Sequence, residues 1–299
     1  MKLRAFDAFA DLAPAQLAVL AELADERFFP AGTLIQAEGT PARLIHYLIE
    51  GEVEIRRGGR PVRRLGPLSV VNGLAALARV LRGHEVAAVA DTTSLSFTHE
   101  DQIDVFEDNF EILAGVLRGV AGALLDARAL TGPAPGREPP PTPPAADRPL
   151  GLVDKITALR RAAPYDDAPL EALAELVRES AEVRHPAGER LWSAGDESEW
   201  SLVIVAGCVS SVVDAGAAQR RFAAGGIAGA VESMAGRPRG FSAVAETDVI
   251  GVRIECGTLL DTLEEHTDMA VGLLHSMARD VLALRERIAA GRSAPTPPD

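Results

Sequence analysis

PAGTLIQAEGTPARLIHYLIEGEV, residues 30–53, and PAGERLWSAGDESEWSLVIVAGCV, residues 186–209, are two writings of one pattern. Pro30, Ala31 and Gly32 fall on Pro186, Ala187 and Gly188, then Gly39 on Gly195, Gly51 on Gly207 and Val53 on Val209, at a constant offset of 156. Further on, VAAVADTTSL (86–95) answers FSAVAETDVI (241–250) at an offset of 155. A period of this length is far above that of a solenoid unit and is the size of a domain. The sequence therefore predicts two copies of one module.

Composition agrees with two globular domains. The chain has 299 residues, 47% of them hydrophobic, enough for two separate cores. Its apolar runs are too short for a membrane span, and the N-terminal stretch lacks the uninterrupted apolar core of a secretory signal. Two cysteines, Cys208 and Cys256, are too few for a disulfide framework or a cysteine-based zinc site, and the six histidines show no metal-ligand spacing. The expected compartment is the cytoplasm, with no metal and no membrane partner. A net charge of −13 repels a phosphate backbone, so nucleic acid is not an expected partner. One basic cluster stands out: Arg56, Arg57, Arg60, Arg63 and Arg64 around Gly58 and Gly59, where Gly-Gly reads as a hairpin turn. It is open to two readings, a solvated hairpin tip or a docking patch for an acidic partner.

Residues 131–149 contain eight of the chain's twenty prolines and read as an extended spacer. They divide the chain into a first domain over 1–130 and a second over 150–291, with 292–299 as a disordered tail. Each copy opens with a helical stretch, Pro14 then Leu17, Leu20, Leu23 and Ala24, or Pro169 then Leu170, Leu173, Leu176 and Val177. Short strand-like segments follow, at 33–35, 45–49, 52–56, 86–90 and 94–98, and again at 189–192, 201–205, 209–213, 242–245 and 249–254. One long amphipathic helix closes each copy, over about 102–129 and 258–288. Strands this short at this spacing predict a mainly β sandwich or roll with flanking helices.

That order of elements, with His46-Tyr47-Leu48-Ile49-Glu50-Gly51-Glu52-Val53 near the start, resembles the cyclic nucleotide-binding domain. The resemblance implies two β-rolls (double-stranded β-helix, jelly-roll-like), each closed by a C-terminal helix. A tandem pair is similar to the regulatory subunit of the cyclic-AMP-dependent kinase without its dimerisation segment. It differs from the catabolite activator type, because no helix-turn-helix follows either closing helix. The family's phosphate-binding cassette uses a Gly turn for close backbone approach and an Arg to neutralise the cyclic phosphate. A Glu accepts from the ribose hydroxyl. In the second copy the resemblance places Gly229, Ala230, Glu232, Pro238, Arg239 and Gly240 in the cassette, with Ala230 at the glutamate position and Glu232 two residues later. In the first copy it places Gly73, Leu74 and His84 at the glycine, glutamate and arginine positions, with Arg82 nearby. Leu74 offers no hydrogen bond and His84 is a poor phosphate partner at pH 7, so the first cassette reads as degenerate.

No P-loop, G-x-S-x-G elbow or H-E-x-x-H occurs, and the chain is not expected to be an enzyme. Three functions remain in view. The first is a regulatory sensor whose second domain binds cyclic AMP, cyclic GMP or a similar phosphate ligand and signals to a protein partner by movement of its closing helix. The second is a ligand-free scaffold for protein–protein interaction. The third is a regulatory chain encoded apart from a catalytic partner. The closing helices are candidates for homodimer contacts. No cofactor beyond the nucleotide ligand is implied.

Overall fold

The computed structural model describes residues 2–6, 9, 12–80, 84–131, 148–212 and 218–292. Most of the proline-rich spacer and the tail from residue 293 lie outside the described residues. The chain divides into two compact units, residues 1–119 with 274–299, and residues 120–273.

In the first unit α1 (Pro14–Leu23) opens on a proline at its first position, where a missing N–H costs nothing. Eight strands follow: β1 (Asp25–Phe29), β2 (Leu34–Gln36), β3 (Leu44–Glu50), β4 (Val53–Arg57), β5 (Arg60–Leu65), β6 (Val70–Val71), β7 (Glu85–Ala88) and β8 (Thr92–Thr98), with the short α2 (Gly73–Leu77) between β6 and β7. Thr98 then caps α3 (His99–Asp108) by accepting from the Asp101 N–H, and α4 (Phe110–Thr131) continues from it. The second part of the chain runs α5 (Leu152–Arg161), α6 (Leu170–Arg178), β9 (Ala181–His185), β10 (Arg190–Trp192), β11 (Trp200–Ala206), β12 (Cys208–Val212), β13 (Ala218–Ala223), β14 (Ile227–Ala228), α7 (Ala230–Ala235), β15 (Ser242–Ala245), β16 (Val249–Glu255), α8 (Cys256–Glu265) and α9 (Thr267–Arg292).

Sheet order proves the duplication. One module has sheets β1-β8-β3-β6 and β2-β7-β4-β5; the other has β9-β16-β11-β14 and β10-β15-β12-β13, the same order with every index raised by eight. All pairings are antiparallel, as in a jelly-roll, so the expected mainly β fold with flanking helices is observed. Each roll encloses its own core. Leu48, Val53, Leu65, Val71 and Val86 fill the first, and Trp192, Leu202, Ile204, Val209, Phe222 and Val249 are among the residues filling the second.

The glycines that carry the repeat do so because the backbone demands them. Gly51 and Gly207 both sit at φ +88, and a Cβ on either would run into the backbone of the strand ahead, at Asp91 and Thr92 or at Asp248 and Val249. The Pro-Ala-Gly turns are pinned alike: the Gly32 N–H donates to Ala88 O and the Gly188 N–H to Ala245 O, both at 2.8 Å. Ala31 N–H and Ala187 N–H donate to the carboxylates of Asp91 and Asp248, both at 2.9 Å.

These bonds correct the second offset. Ala88 answers Ala245, Asp91 answers Asp248, and β7 and β8 answer β15 and β16, all 157 residues apart rather than 155. A slip of two keeps every side chain on its own face of a strand, so alternation alone does not detect it. Two further expectations change. The single closing helix of each copy is two, broken at Asn109 and at His266, whose backbones leave the helical region. Leu23 and Leu170, read as apolar helix positions, are exposed, and Ala24 lies beyond the end of α1.

Gly58 and Gly59, both at positive φ, form the tip of the β4–β5 hairpin. The basic cluster around it is partly neutralised: Glu54 accepts from Arg56 at 2.7 Å and Arg64 at 3.0 Å, and Arg56 also reaches Glu85 at 3.2 Å.

The first roll also buries His46, whose Nδ1 lies 2.8 Å from Ser96 Oγ. Burial, aided by Arg27, lowers its pKa to about 4. The unfolded chain then binds the extra proton between about pH 6.5 and 4, so this contribution to stability is complete above pH 6.5 and drains away as the pH falls to 4. Its full size is about 3 kcal/mol. Urea unfolding of His46→Gln across that range will show a shallower acid loss than the wild type.

Candidate functional site

The second module gathers a turn, a cation and a carboxylate. β14 is followed by Gly229, which adopts φ 79 and ψ 3 and caps α7. That left-handed backbone favours glycine, and a methyl group there would displace the end of the Arg239 side chain, standing 3.1 Å from its Cζ. Arg239 is 2% exposed, among the most buried large side chains of the chain. Its main chain is clamped to the second glycine turn of the repeat, the Gly195 N–H donating to Arg239 O and the Arg239 N–H to Asp196 O, each at 2.8 Å.

The guanidinium donates from Nη1 to Gly229 O at 3.1 Å and from Nη2 to Trp200 O at 2.5 Å. It lies 4.3 Å from the Trp192 ring centroid and 5.1 Å from that of Trp200, while Arg253 covers Trp200 at 4.5 Å. Nε is buried with no partner, as are Trp192 Nε1 and Ser198 Oγ. Burial pulls the Arg239 pKa below the ordinary guanidinium value, and the charge of Glu232 opposes that shift. Glu232, on α7, is 6% exposed. Its carboxylate takes no hydrogen bond among the described residues, and its Oε1 lies 4.0 Å from where a Cβ on Gly240 would be. Ala230 is half-buried at the first position of α7, and Pro238 and Gly240 are exposed on either side of Arg239.

A buried cation beside a buried carboxylate, with several polar atoms unsatisfied, is an expensive arrangement for a core. Such a pair suits a guest with both an anion and a hydroxyl group. Trp192 and Trp200, in T-shaped contact at 5.1 Å, form the wall behind it, Trp192 in the core and Trp200 at its edge.

In the first module the left-handed turn before the corresponding helix is not Gly73 but Asn72, at φ 64. Its amide holds the turn by donating to Gln36 Oε1 at 2.7 Å and Leu44 O at 3.1 Å. Gly73 is the first residue of α2, the place of Ala230, and Leu74 the second, the place of Val231. By the same 157-residue register His84 answers Phe241, and Arg82 answers Arg239. His84 is half-buried and its carbonyl accepts from Gln36 at 3.2 Å. Arg82 lies outside the described residues.

Among the described residues no group of three or more His, Cys, Asp or Glu is placed to hold a metal ion. No described helix is long and apolar enough to cross a membrane.

A family model described as the cyclic nucleotide-binding domain matches residues 26–109, within the first module. Among solved structures the chain is similar to the regulatory domain of Toxoplasma gondii PKA crystallised with cAMP, at 15% identity over 89% of this chain and 94% of that one, with a TM-score of 0.33. It is also similar to the regulatory subunit of a cAMP-independent protein kinase A from Trypanosoma brucei, at 15% identity over 89% of this chain and 87% of that one, with a TM-score of 0.33. The N-terminal domain of a transcriptional regulator from Streptomyces coelicolor A3(2) is similar at 25% identity over 43% of this chain and 94% of that one, with a TM-score of 0.39. No curated protein matches. Residues 26–109 of the first roll thus match the cyclic nucleotide-binding domain, and the second roll repeats the sheet order of the first strand for strand.

Proposed function

We propose that the chain is a non-catalytic, cytoplasmic regulatory protein whose second module takes a cyclic nucleotide, cyclic AMP or cyclic GMP, and passes its binding to a protein partner. The observation that carries this reading is the buried Arg239 beside the Gly229 turn, with Glu232 equally buried across from it. A cyclic phosphate would exchange two neutral carbonyl acceptors for a charged one, roughly doubling the strength of each hydrogen bond to the guanidinium. Glu232 is left to accept from the sugar hydroxyl.

The signal has a short path. Arg239 holds Trp200 O, and Trp200 pairs with Glu255, the last residue of β16. The next residue, Cys256, starts α8, its N–H donating to Glu199 O at 2.6 Å and its Sγ to Ser233 O on α7 at 3.5 Å. Drawing Arg239 toward a phosphate releases Trp200 O and loosens the strand end from which α8 departs. For a signal to follow, the ligand must favour one arrangement of that helix over another.

Calorimetric titration of cyclic AMP and cyclic GMP into the full chain, with hydrogen exchange over residues 256–265, tests this. Saturable heat with altered exchange is the expected result; absence of heat for both nucleotides removes the sensor. Glu232→Gln will weaken the cyclic nucleotide about tenfold, the worth of one charge-assisted hydrogen bond.

The ligand-free scaffold has one observation in its favour. The Arg239 guanidinium already fills the Gly229 turn and has two acceptors without a guest, Gly229 O and Trp200 O.

A further inference from the structure

Away from that turn, the first unit gathers four basic groups that no carboxylate pairs among the described residues. His99, the first residue of α3, and His275, on α9, have ring centroids 6.2 Å apart. Arg279 follows His275 by four residues on the same face of α9, and Arg79 lies just beyond the end of α2. All four belong to residues 1–119 and 274–299. His275 is 6% exposed, and its Nε2 and the Nδ1 of His99 are buried without a hydrogen-bond partner. Arg79 and Arg279 are exposed and make no ion pair among the described residues.

A buried imidazole nitrogen without a partner is rare enough to need a cause. A second imidazole with an equally orphaned nitrogen, beside two arginines, supplies it. The centroid spacing lets one acceptor atom take hydrogen bonds from both rings at ordinary lengths. The surrounding charge selects the sign of the guest. Arg79 acts on both rings, Arg279 and His99 act on His275, and all of them disfavour a further cation, so a metal ion is the wrong occupant. Glu100 is the one acidic group that acts on His99, and it opposes the others.

We propose that His99, His275, Arg79 and Arg279 form a second site in this protein, for a small oxyanion of the phosphate class. Burial and the neighbouring arginines keep His275 neutral at pH 7, its pKa lowered to about 4. Arrival of a dianion reverses that field, so one ring takes up a proton and both rings donate to the ligand oxygen. Binding is therefore proton-coupled. Sulfate stays a dianion from pH 8 to 6, and its affinity will rise about tenfold per pH unit, about a hundredfold across that range, when one histidine is protonated on binding. The source of the oxyanion, free or carried on a nucleoside, is separated by the choice of probe.

The test is ring-nitrogen NMR on the labelled full chain. Sulfate, inorganic phosphate and 5′-AMP are titrated against sodium chloride at constant ionic strength. The expected result is that the His99 and His275 rings shift together and saturably in the low millimolar range, more tightly at pH 6 than at pH 8. A tighter response to AMP assigns the oxyanion to a nucleotide, and a tighter response to phosphate assigns it to the free ion. The double variant Arg79→Gln, Arg279→Gln changes only exposed side chains and will weaken the response at least tenfold. Rings that do not move, that move equally in chloride, or that respond unchanged in the double variant overturn the proposal. The readout is local to the two histidines, so it is independent of any nucleotide at Arg239.

Discussion

Gly207→Ala will cost the second module about 4 kcal/mol, enough to leave it largely unfolded in mild urea. Two penalties add. The left-handed backbone, at φ +88, costs an alanine about 1–2 kcal/mol by itself. The new methyl group also meets Asp248 O inside van der Waals contact, with the Val249 Cα at 2.9 Å. Both are main-chain atoms of the turn into β16, so relief requires moving a core strand. Gly188→Ala is the control: the same φ +87, with nothing within 4 Å. It will lose only about 1 kcal/mol. Urea unfolding followed by tryptophan emission reads both directly, because the chain's two tryptophans, Trp192 and Trp200, lie in this module. Equal losses in the two variants would remove the steric argument.

Arg239→Met will abolish nucleotide binding, a loss of at least a hundredfold, while keeping most of the module's stability. Methionine refills part of the space beside the two indoles, which the guanidinium covers, and removes a buried cation whose Nε has no partner. It also forfeits the hydrogen bonds to Gly229 O and Trp200 O. Gly229 O keeps the Ser233 N–H as a donor, at 3.2 Å. Arg239→Ala loses binding equally and destabilises further, by about 2–3 kcal/mol, since the cavity is added to the lost bonds. The pair separates function from folding: nucleotide titration should fail in both, and the urea midpoint should fall mainly in the alanine variant. Retained binding in Arg239→Met would take the guanidinium out of the site.

Much of this was legible in the chain. Glycines at a fixed spacing announced two modules, because positive-φ turns tolerate little else. Arg239 was read as a site residue because Pro-Arg follows a glycine turn, and the side chain is buried against that turn. What escaped has physical reasons. A two-residue slip preserves strand parity, so it hid the 157-residue register and made His84 stand where Arg82 belongs. Asn72 escaped because asparagine is the one common polar stand-in for glycine in a left-handed turn, and Gly73 beside it drew the eye. The edge strands β1 and β9 carry mostly exposed or half-exposed residues and leave little alternation to read. The breaks at Asn109 and His266 interrupt apolar spacing for one residue only.

Each roll keeps a separate hydrophobic interior, and neither interior is built from the residues of its glycine turn and short helix alone. That arrangement lets a recognition surface erode by mutation while its host barrel stays folded. Gene duplication followed by unequal drift would then leave a pair like this one, with a leucine on the small helix of one twin and a buried glutamate on that of the other. Heating such a molecule should give two overlapping melts rather than one, so no single midpoint temperature describes it.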